Sequence, residues 1–334
     1  MGAVEDAAKW APDAKAEMKL THDAGFRAVV LSAVWSKGRT ADADLPPLRR
    51  AVAAAADEDV EPMLAVYQLS SSTPLSDADR ADFARYAVAL VKALPDVHTV
   101  LVGNEPNLNL FWMPQFSAGG GDASAPAYEQ LLAQTYDALK AADPKLTVVG
   151  GNVSPRGSDD PSASRQTHSP TRFIEDFGAA YRASGRTTPI MDAFSIHVYG
   201  ESPSVPPSLA HPNSTSIGIA DYGKLTSLLD KSFSAGLPIV YGEYGVETAV
   251  PAAKTSAYSG TEVIHPVDEQ TQARYYDEAI RMSACQPRVD TLLLFHVFDE
   301  KDLKGLQSGL YYADGTPKAS LAQVRPHLED PRCR

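Results

Sequence analysis

The feature that most constrains the fold is an alternation of short β-branched runs with helix-like segments along the whole chain. The predicted strands are Gly2–Glu5, Ala28–Trp35, Val60–Gln68, Val97–Glu105, Leu146–Asn152, Met191–Tyr199, Pro238–Tyr244 and Thr291–Asp299. The predicted helices that follow them are Pro12–Ala24, Asp44–Asp57, Ser76–Leu94, Pro126–Ala142, Pro170–Ser184, Ile219–Ala235, Asp268–Cys285 and Pro317–Val324. This order is typical of βα units that build a parallel sheet, and not of a β-sandwich.

The links between these segments are short after helices and long after most strands. Helix-to-strand links such as Gly25–Arg27 and Asp143–Lys145 are tight. The long strand-to-helix links are Pro106–Ala125, Val153–Ser169, Gly200–Ala220, Gly245–Val267 and Glu300–Thr316. In an eight-unit barrel all strand-to-helix loops lie on one face, which is where active sites are built. We therefore predict a single (β/α)8 TIM barrel domain over residues 1–334, with elaborated loops at the C-terminal face of its strands.

Composition excludes several classes of protein. No apolar run exceeds six residues, whereas a helix needs roughly 20 to cross a bilayer, so no membrane segment is expected. The net charge is −12 and the basic residues are not clustered. A nucleic acid would meet a repulsive field, so it is not an expected partner.

Metal and nucleotide cofactors are not expected either. The chain has no CxxC pair, no His-x-His on its first strand, no GxGxxG loop, and no GxxxxGK followed by the Ser or Thr of a phosphate-binding loop. A Gly-x-Ser-x-Gly nucleophile motif is also absent, which disfavours an esterase. The sequence thus predicts neither cofactor nor catalytic metal.

Of the two cysteines, Cys285 ends the seventh predicted helix and Cys333 lies just beyond the eighth. Both a disulfide and two free thiols are compatible with these positions. The chain opens Met-Gly-Ala-Val-Glu, without the charged and apolar regions of a secretion signal, so we expect any such signal to have been removed or never to have existed. A disulfide would favour a secreted or extracytoplasmic protein, which is the localisation we expect.

Two glutamates stand where predicted strands reach the elaborated face. Glu105 ends the fourth strand within Gly-Asn-Glu-Pro, and Glu243 lies near the end of the seventh within Tyr-Gly-Glu-Tyr. Side chains at these positions converge on the mouth of a barrel. Two facing carboxyl groups suit glycoside hydrolysis, since one protonates the leaving oxygen while the other attacks the sugar carbon or directs water to it. The alternative is that each is a solvated charge on the rim.

The Gly103-Asn104-Glu105-Pro106 motif, together with Glu243, resembles the clan A glycoside hydrolases, of which families 5 and 39 are the most similar. The resemblance implies that Glu105 is the acid/base, that Glu243 is the nucleophile and that Asn104 binds the sugar 2-hydroxyl. His197-Val198-Tyr199 on the sixth strand is similar to the clan's His-x-Tyr. Tyr199 would then bond to the nucleophile and His197 would line the pocket, although a His-x-Tyr pair also occurs in ordinary cores.

The sequence departs from the clan at two places. The eighth strand has no tryptophan at its end, where members usually carry a sugar platform, so His296, Phe298 or Asp299 must occupy that space. No arginine stands late in the second strand, which ends in Trp35-Ser36-Lys37.

Aromatic rings stack on the C–H faces of sugars, which makes loop aromatics candidate binding residues. Trp35 follows the second strand, and Trp112 lies in the loop after Glu105. Trp112 is the preferred platform, the alternative being that it fixes this long loop to the barrel.

The sequence therefore predicts a retaining glycoside hydrolase that cleaves a β-linked glycoside or polysaccharide by double displacement. The alternatives are a transglycosylase, a barrel that binds carbohydrate without cleaving it, and a metal-dependent barrel enzyme of another class.

Overall fold

Eight parallel strands close into a barrel in the order of the sequence, and the first strand pairs with the last. The structure is a computed structural model that describes residues 1–333. The strands are β1 (Gly2–Val4), β2 (Ala28–Trp35), β3 (Glu61–Gln68), β4 (Thr99–Val102), β5 (Thr147–Val153), β6 (Ala193–His197), β7 (Ile239–Tyr244) and β8 (Val289–Phe295). The predicted (β/α)8 barrel is confirmed.

Helices surround the sheet and connect its strands. They are α1 (Ala7–Trp10), α2 (Ala14–Asp23), α3 (Leu45–Asp57), α4 (Asp77–Ala93), α5 (Ser124–Ala142), α6 (Pro170–Ala183), α7 (Tyr222–Ser232), α8 (Glu269–Ala284) and α9 (Ala319–Glu329). Within residues 1–333 none of them combines the length and apolar character that crossing a membrane requires.

The first predicted helix, Pro12–Ala24, is α2 (Ala14–Asp23) in the structure, and the short helix α1 (Ala7–Trp10), which was not predicted, precedes it. Ala11 adopts an extended conformation between α1 and α2, as expected for a residue that precedes a proline. The segment from β1 to α2 therefore turns back over the end of the barrel, and it places α1 beside the ends of the strands.

Three predicted strands extend too far toward their C-terminal ends. β4 ends at Val102 and not at Glu105, β6 ends at His197 and not at Tyr199, and β8 ends at Phe295. After β4 the backbone turns sharply, with φ of +81° at Gly103 and +37° at Glu105. Asn104, Glu105 and His296 thus stand just after the regular sheet, whereas His197 and Glu243 lie in the last residues of β6 and β7.

The hydrophobic core has two parts. A large cluster fills the space between the sheet and the helices. A smaller cluster, which includes Val30, Leu101, Val240 and Leu293, draws one or two side chains from most of the strands and fills the barrel interior. The interior is therefore packed, and a ligand can only enter above this layer.

Cys285 and Cys333 form a disulfide, with Cα atoms 4.6 Å apart. Cys285 caps the C-terminus of α8, and Cys333 follows α9, which packs against α8. Of the two alternatives left open by the sequence, the structure has the bond. It joins positions separated by 48 residues and fixes the last helix to its neighbour.

Replacing both cysteines by serine should lower the free energy of unfolding by about 4 kcal/mol, because a cross-link of this span restricts the unfolded chain by that amount. Denaturant unfolding followed by circular dichroism measures the difference. Dithiothreitol should destabilise the wild type and leave the double variant unchanged, which provides the control. Equal midpoints for oxidised wild type and double variant would contradict the expected contribution.

Candidate active site

A cavity of about 850 Å³ opens at the C-terminal ends of the strands. Its base is formed by residues of the barrel interior such as Val30 and Leu101, and its wall carries polar side chains from the loops. Of the predicted site residues, the cavity is lined by Asn104, Glu105, His197, Glu243 and His296. Strands that are distant in sequence thus contribute to one site.

The backbone turn that places Glu105 requires glycine at position 103. Gly103 adopts a positive φ, and a Cβ there would come within 2.8 Å of the Tyr128 ring. The side chain of Asn152 donates to the carbonyl of Gly103 at 2.9 Å, and the backbone N–H of Glu105 donates to the carbonyl of Asn152 at 2.8 Å. These bonds to β5 fix the direction in which Glu105 leaves β4.

Glu243 faces the same cavity as Glu105 for two reasons, which are the glycine at Gly242 and a shift in register between β6 and β7. The pairing of β6 with β7 slips by one residue after Ile196, so that His197 stands opposite Glu243. A Cβ at Gly242 would lie 2.4 Å from the Ser195 hydroxyl and 3.1 Å from the His197 ring. Glycine at this position therefore lets the imidazole approach the seventh strand.

His197 lies between the two carboxylates. Its Nδ1 is 3.0 Å from Oε1 of Glu105 and 3.3 Å from Oε2 of Glu243. These two carboxylate oxygens are consequently at most 6.3 Å apart, because 3.0 and 3.3 Å add to that value. The hydroxyl of Tyr199 donates to Oε2 of Glu243 at 2.9 Å. Tyr199 is held in turn by Arg156, which donates to its backbone carbonyl at 3.0 Å.

Burial and mutual charge shift the ionisation of this group. Burial raises the pKa of Glu243, and the charge of Glu105 adds to that effect, while His197 and Tyr199 act against it. Burial alone would lower the pKa of His197, but the charge of Glu243 and the hydrogen bond to Glu105 together raise it. The imidazole of His197 and the carboxyl group of Glu243 therefore titrate as a coupled pair.

His296 borders the cavity, but its second ring nitrogen is buried. Its Nδ1 lies 2.8 Å from the carbonyl oxygen of Val4, which can only accept, so Nδ1 carries the proton in the neutral ring. Nε2 then has a free lone pair, and it has no partner among the described residues. Glu5 supports this turn, since it accepts from the N–H groups of Val297 and Phe298.

Two predicted platform residues are corrected by the structure. Trp35 is 1% exposed and packs edge-on against Phe83, while Trp112 is fully buried and packs edge-on against Tyr128. Neither ring lines the cavity, so neither offers a face to a sugar. Trp112 instead fixes its loop to the barrel, which was the alternative interpretation.

Sequence reasoning missed the aromatic ring that is exposed. Trp10 lines the cavity and is 70% exposed. It lies in a segment that the sequence placed between the first strand and the first helix, with no pattern to mark it. Phe111 also lines the cavity, and it packs against Tyr67 with ring centroids 6.0 Å apart.

Asp299 has a structural role. It forms a buried ion pair with Lys318 at 2.7 Å and accepts from the hydroxyl of Tyr258 at 2.7 Å. Its oxygens are thus occupied, although the residue borders the cavity. Within residues 1–333 there is no cluster of three or more His, Cys, Asp or Glu side chains suited to a metal ion.

Comparison with known proteins agrees with this architecture. No family model and no curated protein matches the sequence. Solved structures do match, among them a family 39 glycoside hydrolase from Bacteroides cellulosilyticus WH2, with a TM-score of 0.65 and 17% identity over 93% of this chain and 60% of that one. This chain thus spans less than two thirds of that protein.

Two further structures extend the comparison. A family 39 β-xylosidase from Caulobacter crescentus has a TM-score of 0.61 and 20% identity, over 97% of this chain and 69% of that one. A broad-specificity family 5 endoglucanase from Clostridium longisporum has a TM-score of 0.60 and 15% identity, over 94% of this chain and 84% of that one. At these identities the likeness shows the barrel fold.

Replacing Glu243 by Gln should lower the pKa of His197, since the charge of Glu243 is the largest influence that raises it. Proton-detected NMR titration of the histidine rings measures the change. The other histidines provide internal controls, because His22 and His327, for example, lie against different carboxylates. An unchanged titration of His197 would show that the two side chains are not coupled.

Proposed function

We propose that this protein is a glycosidase that cleaves a β-linked glycoside with retention of configuration, Glu105 acting as acid/base and Glu243 as nucleophile. Both carboxylates lie within 3.3 Å of Nδ1 of His197, and all three side chains line one water-accessible cavity. This arrangement is the observation that carries the proposal. A sugar ring bound there would have one carboxyl group beside its leaving oxygen and the other beneath its anomeric carbon.

The carboxylate separation supports the retaining route. Retaining enzymes hold the two carboxyl groups about 5–5.5 Å apart, whereas inverting enzymes leave roughly 6.5–9.5 Å to admit a water molecule. The nearest oxygens of Glu105 and Glu243 are at most 6.3 Å apart, from their distances of 3.0 and 3.3 Å to the same nitrogen. This spacing favours direct attack by a carboxylate on the sugar.

In the first step, ionised Glu243 attacks the anomeric carbon while protonated Glu105 donates its proton to the departing oxygen. The glycosidic bond breaks, the aglycone leaves as an alcohol, and the sugar becomes an ester of Glu243. The hydroxyl of Tyr199, which donates to Glu243 at 2.9 Å, orients the attacking carboxylate. Asn104 lines the same cavity and is placed to bind a sugar hydroxyl.

In the second step, Glu105 removes a proton from water, which attacks the same carbon and releases Glu243. The ester carries no charge, so its formation favours ionisation of the neighbouring carboxyl group. One residue therefore serves first as acid and then as base. Two displacements at one carbon restore its original configuration.

The similar solved structures support the reaction class by analogy. They include a β-xylosidase and a broad-specificity endoglucanase, both built on this barrel. Because one fold hosts many activities, the argument for hydrolysis rests on the arrangement of Glu105, His197, Tyr199 and Glu243.

We also propose that the protein works in an oxidising compartment outside the cytoplasm. The disulfide between Cys285 and Cys333 supports this, because such bonds persist mainly in exported proteins. A polymeric sugar substrate would also be met outside the cell.

The two glutamates should have distinguishable roles when each is replaced by alanine. Both variants should lose about 10³-fold or more in turnover of aryl β-glycosides. Azide occupies the space left by the missing carboxylate and attacks from that side. The Glu243→Ala variant should therefore yield an α-glycosyl azide, and Glu105→Ala a β-glycosyl azide, as identified by NMR.

Wild-type enzyme should release a product of retained configuration in the same NMR assay. EDTA should leave this activity intact, which separates the proposal from a metal-dependent barrel enzyme. Inverted product, or full turnover by Glu243→Ala, would remove Glu243 from the nucleophilic role. Transfer to an added sugar acceptor in preference to water would identify a transglycosylase.

Replacing Tyr199 by Phe removes the bond that orients the nucleophile without emptying its space. We expect kcat to fall roughly 10- to 100-fold with a much smaller change in KM, since a lost hydrogen bond to a charged group costs about 1.5–3 kcal/mol. Steady-state kinetics measures both constants. Tyr181→Phe, at a surface hydroxyl bonded to the backbone of Thr188, is the matched control. Equal kinetics for both variants would contradict the orienting role.

A further inference from the structure

Trp10 differs from the other two tryptophans of the chain in its exposure. Trp35 and Trp112 are buried in the core, whereas the indole of Trp10 is 70% exposed and borders the catalytic cavity. A large aromatic ring beside a cavity that holds polar side chains is the combination found in ligand sites.

The position of the indole is fixed by the residues around it. Lys9 on the same short helix is buried, and its Nζ donates to the carbonyl of Ser32 on β2 at 2.6 Å and lies 2.9 Å from Asp6. Arg50 on α3 donates to the carbonyl of Lys9. The ammonium of Lys9 also lies 5.4 Å from the centroid of the Trp10 ring. Helix α1 is thus attached at several points, and the ring is presented on a rigid support.

The cavity wall therefore carries aromatic rings from two separate loops. Trp10 follows β1, and Phe111 belongs to the loop after β4, with two strands between them around the barrel. Phe111 is backed by Tyr67. The catalytic carboxylates lie in the same cavity, so a chain of sugars that reaches them can also contact an aromatic ring at its margin.

The charged residues of the outer wall disfavour an anionic ligand. The cavity is lined by three acidic residues, Glu17, Glu300 and Asp314, and by one basic residue, Lys301. The nearby ammonium of Lys9 already forms an ion pair with Asp6. A sugar that carries a carboxylate or sulfate would meet a net negative wall.

We propose that Trp10 is the stacking platform for a neutral sugar ring next to the one that is cleaved, so that the substrate is a neutral β-linked oligosaccharide of at least two rings. The inference rests on the proposed function for the position of the cleaved bond. It adds the class of substrate and a specificity-determining residue.

Acrylamide quenching of tryptophan fluorescence tests the stacking without requiring turnover. In a Glu243→Gln background, Trp10 should supply nearly all the quenchable emission, because the other two indoles are at most 1% exposed. A trisaccharide that the enzyme accepts should protect Trp10 from quenching at saturating concentration. The sugars to be tried are cellotriose, xylotriose, mannotriose and laminaritriose. The Trp10→Phe variant in the same background should lose the quenchable component, and oxidised cellotriose with a 6-carboxylate should protect less than cellotriose.

Kinetics on the wild-type background gives a second readout. Trp10→Ala should raise KM for the accepted trisaccharide about tenfold or more, the cost expected for truncating a tryptophan that anchors a ligand. The effect on a monosaccharide aryl glycoside should be smaller, and Trp10→Phe should recover part of the loss. Val263→Ala, at an exposed residue that does not line the cavity, is the matched control.

The outcomes separate this inference from the proposed function. Hydrolysis of a trisaccharide with unprotected Trp10 and an unchanged KM in Trp10→Ala would overturn the platform and leave the glycosidase standing. Protection of Trp10 in the Glu243→Gln background, without hydrolysis of the same sugar by the wild type, would support the platform and count against the proposed activity. No protection by any of the four trisaccharides, or a change of oligomeric state in Trp10→Ala with unaltered sugar kinetics, would overturn the platform and assign the indole to another contact.

Discussion

The pairing of β1 with β8 is the constraint on which the site depends. It closes the sheet, so that the ends of strands far apart in sequence surround one cavity. The closure is reinforced above the sheet, where His296 donates to the carbonyl of Val4 and Glu5 accepts from two N–H groups after β8. Because β1 has only three residues, these side-chain bonds extend a short strand pairing into the active-site wall.

His197 lies between the carboxylates of Glu105 and Glu243, which would otherwise repel each other. Burial and the charge of Glu105 raise the pKa of Glu243, and the imidazole of His197 acts against that shift. The register shift before His197, and the absence of a Cβ at Gly242 beside the opposing Glu243, are what allow the ring to reach this position. The electrostatics of the site therefore follow from a backbone irregularity and a missing Cβ.

Sequence alone predicted the barrel and the convergence of Glu105, His197 and Glu243, because strand periodicity and strand ends are local signals. It failed for Trp35 and Trp112, since residue type and loop position do not say whether a ring faces a cavity or the core. It also missed Trp10. Whether that indole is exposed depends on the turn at Ala11, on the buried Lys9 and on the path of α1 over the barrel, none of which has a periodic pattern.

The first and last segments of the chain together determine what the cavity wall presents. At the end of β8, where a tryptophan platform is absent, the ring of His296 borders the cavity and donates to the carbonyl of Val4. An aromatic face is supplied instead by Trp10, from the segment after β1, which pairs with β8. Two neighbouring loops thus place an imidazole and an indole on one wall of the cavity. In the proposed function, the loop that carries Trp10 is separate from the segments that carry Glu105 and Glu243, so it can vary without moving the two carboxylates.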